Sequence, residues 1–276
     1  MNRFFLAGAL ALLTGVTSLM AQKQPAPKSP KEVEALQAMF NAQDPDARIK
    51  ASDALLSKFA DTEFKAIALY LAAASYEQKN DFEKMVIYAE RTIEADPKNY
   101  GAMLMLAGGI AKRAREHDLD LEEKLARSDK YAKDALVALE TAAKANPQIT
   151  DEQWAQAKKD FVSQAHEAFA LGAMTRKKYD VAIAEFKLAV DGAGTPDPAT
   201  QVRLAQAYNL AKKPDEALAV LDKVMAVPDV HPQIKQFAQA ERVRAIQAKG
   251  GGAKPPAPAA PPAPPAHPAA PEQKKQ

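Results

Sequence analysis

The side chains able to do chemistry in this sequence are few and poorly grouped. Four histidines occur, His117, His166, His231 and His267. No two of them stand four apart, the spacing at which one helix offers two imidazoles to a zinc ion. His166 lies beside Glu167 in a helical stretch and could serve as a general base, but no serine or threonine in nucleophile surroundings accompanies it. The acidic run Asp118, Asp120, Glu122 and Glu123 suggests a cation. A calcium loop needs carboxylates at regular offsets, a glycine for its sharp turn and a closing glutamate. That glycine is missing, and Leu119 and Leu121 read as buried anchors. The run therefore reads as a helix start, where carboxylates favour the positive end of the dipole.

Gly108-Gly109 sits on a helical pattern without the preceding strand or following lysine-serine pair of a phosphate loop. Those glycines are expected to let two helices approach closely. Gly192-Ala193-Gly194 reads as a plain loop. A hydrolase would need paired carboxylates on facing helices, for which Glu140 with Asp160 is the pairing available. Arg113, Arg115, Lys124, Arg127 and Lys130 could form a positive face, but glutamates and Asp129 are interleaved with them. Such a pattern reads as an ion-paired, solvated surface. Cysteine is absent, so disulfides, thiolate nucleophiles and cysteine-based metal sites are excluded together. No cofactor and no metal is expected.

The elements that must position these residues are helical. Of the 276 residues, 47% are hydrophobic but only 7% aromatic, and alanine dominates the apolar share. Alanine-rich, aromatic-poor interiors suit closely approaching helices, because alanine loses no side-chain freedom there. With 37 basic and 35 acidic residues, the net charge of +2 gives no clustered basic face for nucleic acid. Between Lys31 and Gln247 no strand pattern appears. Helical pairs are expected over Glu32–Asn41 and Pro45–Phe59, then Phe64–Lys79 and Phe82–Ala95. A helix from Tyr100 to about Arg115 and another continuing to Ala145 follow, closed by Asn146-Pro147. Asp151–Arg176 with Tyr179–Val190, Ala199–Ala211 with Asp215–Met225, and a capping helix Pro232–Lys249 with a polar outer face complete the series.

Both ends read differently. Residues 1–21 carry Arg3, an apolar run from Phe4 to Val16 and a small-residue exit, the pattern of a secretory signal cleaved between Ala21 and Gln22. The run is too short to span a hydrocarbon core of about 30 Å, and no cysteine follows it to accept a lipid. A retained N-terminal anchor is the alternative. Residues 22–30, with Pro25, Pro27 and Pro30, read as a flexible tether. Residues 250–276 read as a disordered tail in which Pro255 to Pro271 holds nine of the twenty prolines. Such a sequence favours extended polyproline II, as a spacer or as a docking ligand.

A small residue recurs with packing residues at +4 and +7: Met85/Ala89/Thr92, Ala135/Leu139/Ala142, Ala182/Phe186/Ala189 and Ala217/Leu221/Val224. With Ala73, Tyr76, Phe82 and Pro97 in the second pair, and Leu204, Ala205 and Tyr208 in the fifth, the chain resembles the tetratricopeptide repeat, a helix-turn-helix unit of about 34 residues. The strongest repeats cover about 64–97, 100–147, 163–194 and 198–230. An insertion is expected around His117 to Asp129, and an overlong helix carries Trp154. Met85 departs from the family's small residue.

The resemblance implies an all-α, right-handed superhelical solenoid whose first helices line a groove for a protein or peptide partner. The groove positions are Ile67, Tyr70, Ala74, Leu104, Gly108, Glu167, Leu171, Val202 and Gln206. Tyr70/Ala74 and Leu104/Gly108 lack the lysine and asparagine with which some members clamp a terminal carboxylate. An amphipathic helix or extended segment is the occupant that suits this groove. The expected role is an exported, non-enzymatic adaptor, periplasmic or secreted, with no membrane span after signal cleavage. A self-associating structural subunit, a homo-oligomer, is the alternative, and an all-α hydrolase the third.

Overall fold

The computed structural model describes residues 25–144 and 148–250. Among them are eleven helices and no strand: α1 Pro30–Phe40, α2 Pro45–Lys58, α3 Lys65–Gln78, α4 Phe82–Ala95, α5 Tyr100–Arg113, α6 Leu121–Glu140, α7 Asp151–Thr175, α8 Tyr179–Gly192, α9 Pro198–Leu210, α10 Pro214–Ala226 and α11 Pro232–Lys249. The expected signal, its cleavage point at Ala21/Gln22, the proline-rich tail and the stop at Asn146-Pro147 lie outside the described residues.

Local chemistry starts these helices where the sequence places them. Ser29, Asp44, Asp81, Asn99, Thr150 and Asp197 each accept a backbone N–H of the first turn. Thr150 does so reciprocally with Gln153, whose side chain accepts the Thr150 N–H at 2.9 Å. Three of the reversals share one geometry. Asn80, Lys177 and Lys212 adopt left-handed φ of 57°, 59° and 59°. The following N–H of Asp81, Lys178 and Lys213 then reaches back to the carbonyl of Tyr76, Ala173 and Tyr208, at 2.9 Å in each case. A repeated turn of this kind folds each helix back along its predecessor.

Pairs α1/α2, α3/α4, α5/α6, α7/α8 and α9/α10 stack in order, and α11 closes the far end against α9 and α10. First helices also touch first helices, α3 with α5 and α5 with α7. The repeated triplets are the seam: Met85, Ala89, Thr92, Ala135, Leu139, Ala182, Phe186, Ala189, Ala217, Leu221 and Val224 are all buried. Ala142 is the exception, half-buried beyond the end of α6. Alanine at five of these eleven positions lets neighbouring backbones close up, so burial is spread along the stack rather than gathered in one centre.

Several expectations are corrected. Helix α6 ends at Glu140, with Thr141 as its cap, rather than running to Ala145. Leu119 is wholly exposed, not a buried anchor, because it stands in the link between α5 and α6 rather than on a packed helix face. The acidic run does open α6, but Asp118 and Asp120 bind the Lys124 ammonium at 2.9 Å and 2.8 Å, and Glu122 accepts from Arg176 at 3.0 Å. The Ala26 N–H donates to Glu63 at 3.0 Å, and the Lys28 ammonium binds the Asp61 carboxylate at 2.7 Å. On α11 the outer face is not uniformly polar, since Phe237, Val243 and Ile246 are exposed.

Candidate functional site

Two adjoining cavities run across the first helices of successive pairs. One, of about 140 Å³, lies between α3, α5 and α7, with Tyr70, Glu77, Gly101, Leu104, Gly108, Lys112, Gln164, Glu167 and Leu171 in its walls. The second, of about 260 Å³, lies between α5, α7, α8 and α9 and includes Ala111, Arg115, Met174, Phe186, Arg203 and Gln206. Lys112 and Leu171 belong to both, so the two form one groove. An ion pair between Arg203 and Glu167 ties α9 to α7 across the junction.

Helical period explains the lining. Residues 101, 104, 108 and 112 recur every three or four positions on α5, as do 164, 167/168, 171 and 175 on α7, so each helix turns one continuous stripe to the gap. Gly108 leaves that gap open: a Cβ built there would meet nothing nearer than the Lys112 ammonium at 4.0 Å. Gly101 does the opposite and receives the Tyr70 ring, whose nearest atoms would be 3.0 Å from such a Cβ. Burial raises the Tyr70 phenol above its ordinary range, with the Glu77 charge adding to the effect.

Of the positions expected in the groove, Tyr70, Leu104, Gly108, Glu167, Leu171 and Gln206 meet there. Three do not. Ala74 packs into the cluster around Tyr76 and Met85, and Ile67 stays exposed outside the cavity walls. Val202 is buried among Ala205, Leu221, Ala238 and Ala245, because α11 covers this turn of α9. Glu77, Lys112, Gln164 and Arg203 were missed. Extending the Tyr70, Gly108 and Glu167 stripes by one turn finds the first three. Glu77, Lys112 and Gln164 make no side-chain hydrogen bond or ion pair among the described residues. Polar groups without internal partners, converging beside apolar ones, are what a ligand site requires.

The other candidates for chemistry are engaged elsewhere. His166 Nδ1 lies 2.8 Å from Glu185 between α7 and α8, and the nearby Ser163 hydroxyl donates to the Ala189 carbonyl at 2.6 Å. Asp160 accepts the Gly194 N–H at 2.9 Å, fastening the loop after α8. Among the described residues no group of three acidic or histidine side chains is placed to hold a metal, and no helix is long and apolar enough to cross a membrane. The basic residues of α5 and α6 are dispersed as expected: Arg127 pairs with Glu90, Lys130 with Asp134 at 2.6 Å, and Arg113 stacks over Phe82.

Antiparallel couples in sequence order, first helices lining the groove and second helices behind them, complete the description. The fold is tetratricopeptide-like. Solved structures similar in fold include a thermophilic tetratricopeptide-repeat protein from Thermus thermophilus, at 19% identity and a TM-score of 0.48, covering 79% of this chain and 98% of that one. Another is a tetratricopeptide-repeat protein from Parabacteroides merdae, at 15% identity and a TM-score of 0.42, covering 82% and 94%. No protein-family profile matches the sequence, and no curated protein does.

Proposed function

We propose that this protein is an adaptor that holds an extended segment of another protein in the groove across α3, α5, α7 and α9. The joined cavities carry this reading. Leu104, Leu171 and Met174 supply apolar wall, while Glu77, Lys112 and Gln164 keep hydrogen-bonding capacity unspent along it. A strand-like or polyproline segment has free backbone donors or acceptors along its length, and pockets for alternate side chains give it register. No reacting pair of groups is needed for that task.

The test is a crosslinker placed at Gly108 in the full chain, the attached segment being sequenced and resynthesised. A segment that binds the purified protein, and is displaced by filling the groove at Gly108, supports the adaptor reading. Crosslinks only to random surfaces, or a resynthesised segment that does not bind, would remove it. The N-terminal sequence supports export to the periplasm or beyond, with cleavage at Ala21/Gln22. N-terminal sequencing of protein recovered from the envelope fraction checks this, and a chain that keeps Met1 in the cytoplasm would overturn it.

Self-association is the second reading, favoured by Phe237, Val243 and Ile246 exposed on the terminal helix. Light scattering over a range of concentrations separates it from a monomeric adaptor.

A further inference from the structure

At the edge of the groove stands a row of half-buried aromatic rings contributed by three successive first helices. Tyr70 of α3 lies against Gly101, next to Tyr100 at the start of α5. The Tyr100 ring centroid is 5.0 Å from Phe161 and 6.5 Å from Trp154, both on α7, and Trp154 and Phe161 are 6.5 Å apart. The rings of Tyr100, Trp154 and Phe161 are tilted, not sandwiched, at 50° to 61° to one another, and each keeps part of its surface exposed.

The polar atoms of this row are unspent. Among the described residues, Tyr70 Oη, Tyr100 Oη and Trp154 Nε1 donate no hydrogen bond. Two other tyrosines of the stack do spend theirs: Tyr88 donates to Asp53 at 2.7 Å and Tyr131 to Glu90 at 2.9 Å. The strip thus offers donors and ring faces together. The Lys158 ammonium, which donates to the Glu140 carbonyl at 3.4 Å, stands 6.0 Å from the Trp154 ring centroid.

That pairing of properties has a specific complement. A proline-rich segment has carbonyl acceptors but few N–H donors, and its pyrrolidine rings pack on aromatic faces. Such a segment is already extended, so ordering it costs little entropy. The chain itself carries one, Pro255 to Pro271, beyond the last described residue. From the end of α11 the strip lies about three helix-packing steps and one helix length away, on the order of 40 Å. The 21 residues from Gly251 to Pro271 reach about 65 Å as polyproline II. The final prolines can therefore arrive at the strip.

The geometry points to the aromatic row Tyr70–Tyr100–Phe161–Trp154 as a polyproline II site, filled by the final prolines of this chain's own Pro255–Pro271. The inference rests on the groove being the working surface, and it adds that the tail and the partner compete at one end of it. A tether supplies an effective concentration in the millimolar range, so a weak intrinsic contact suffices to fill the site.

Trp154 is the only tryptophan, and its fluorescence reports on this strip alone. Acrylamide quenching is compared between the full chain and a chain ending at Gly250, with circular dichroism confirming equal helicity. The truncated chain should be quenched about two-fold more steeply. A Lys254–Glu272 peptide added in trans should restore protection, with a Kd on the order of 0.1–1 mM. In the truncated Tyr100→Ala chain, equally helical, the peptide should have no effect. Equal quenching in both chains with no response to 5 mM peptide overturns the inference. So does protection that appears only as protein concentration rises, since the tail would then occupy a second copy. If the tail fails while the segment crosslinked at Gly108 still binds, the adaptor reading stands and only this inference falls.

Discussion

Met85 and Gly109 fill one another's space: a Cβ on Gly109 would sit 2.7 Å from the Met85 methyl, and Met85 itself is 1% exposed. Other pairs place alanine at the position of Met85, in Ala135, Ala182 and Ala217. The second pair therefore breaks the repeat on α4 and repairs it on α5 by removing the opposing side chain. Phe82, whose ring would lie 3.1 Å from the same Cβ, closes the remaining gap.

This exchange predicts a change of sign. Gly109→Ala gains up to about 1 kcal/mol in helix propensity but overpacks the seam, which costs about 1–3 kcal/mol. A net loss of about 1 kcal/mol is expected in urea unfolding. In a Met85→Ala background, which alone costs about 2–5 kcal/mol, the 2.7 Å contact is gone, the Phe82 ring at 3.1 Å can shift into the vacated space, and Gly109→Ala should stabilise. Additive effects of the two changes would show that the contact is not what sets the register of α4 on α5.

The neighbouring glycine separates binding from folding. Gly108 faces the groove with open space around it. Gly108→Gln should leave the melting temperature equal or higher, since glutamine is the better helix former by under about 1 kcal/mol. Affinity for the bound segment should fall by at least about ten-fold, some 1.4 kcal/mol, as the side chain occupies the cavity. Retained affinity with a normal melting temperature would place the binding surface elsewhere.

Much of this architecture is legible because its punctuation is local. Asp44-Pro45, Asp81 and Thr150 announce helix starts through their own side chains, and the turns at Asn80, Lys177 and Lys212 need only one left-handed residue each. What was not legible depends on neighbours distant in sequence. Val202 follows the groove spacing on α9, yet α11 packs over it, and nothing within a single repeat announces that docking. Leu119 is apolar in sequence but sits in a link whose exposure follows from where α5 ends. Glu77, Lys112 and Gln164 were hidden because a polar side chain on a helix usually means solvent. Only the gap between α3, α5 and α7 turns them toward one another.

The shared turn predicts a stabilising substitution. Lys212 is exposed, forms no ion pair among the described residues and holds φ at 59°. An L-residue with a Cβ costs about 1–2 kcal/mol in that conformation, whereas glycine adopts it freely. Lys212→Gly should therefore raise stability by about 0.5–1 kcal/mol, after the larger unfolded-state entropy of glycine is deducted. Asn80 already has a residue suited to the left-handed region, so Asn80→Lys should do the reverse. Urea midpoints at constant slope check both, and a loss with Lys212→Gly would mean that the lysine stem packs on the turn.

Alkaline solution should loosen the stack through its tyrosines. Burial raises the phenols of Tyr70, Tyr100 and Tyr131, and for Tyr88 the Asp53 carboxylate that accepts its hydrogen bond adds to burial. In the unfolded chain each phenol ionises near pH 10. Between that value and the higher folded range, the unfolded state binds fewer protons, so the slope of stability against pH is negative. The contribution is complete below about pH 10 and is lost as pH rises through the folded range. Unfolding free energy measured from pH 8 to 12 should fall, with phenolate absorbance lagging behind that of free tyrosine until the helices melt. Tyr88→Phe should flatten the fall, because it removes the group held neutral by both burial and a carboxylate. A stability profile unchanged by that substitution would show that the Tyr88–Asp53 contact between α4 and α2 is not what couples these helices to pH.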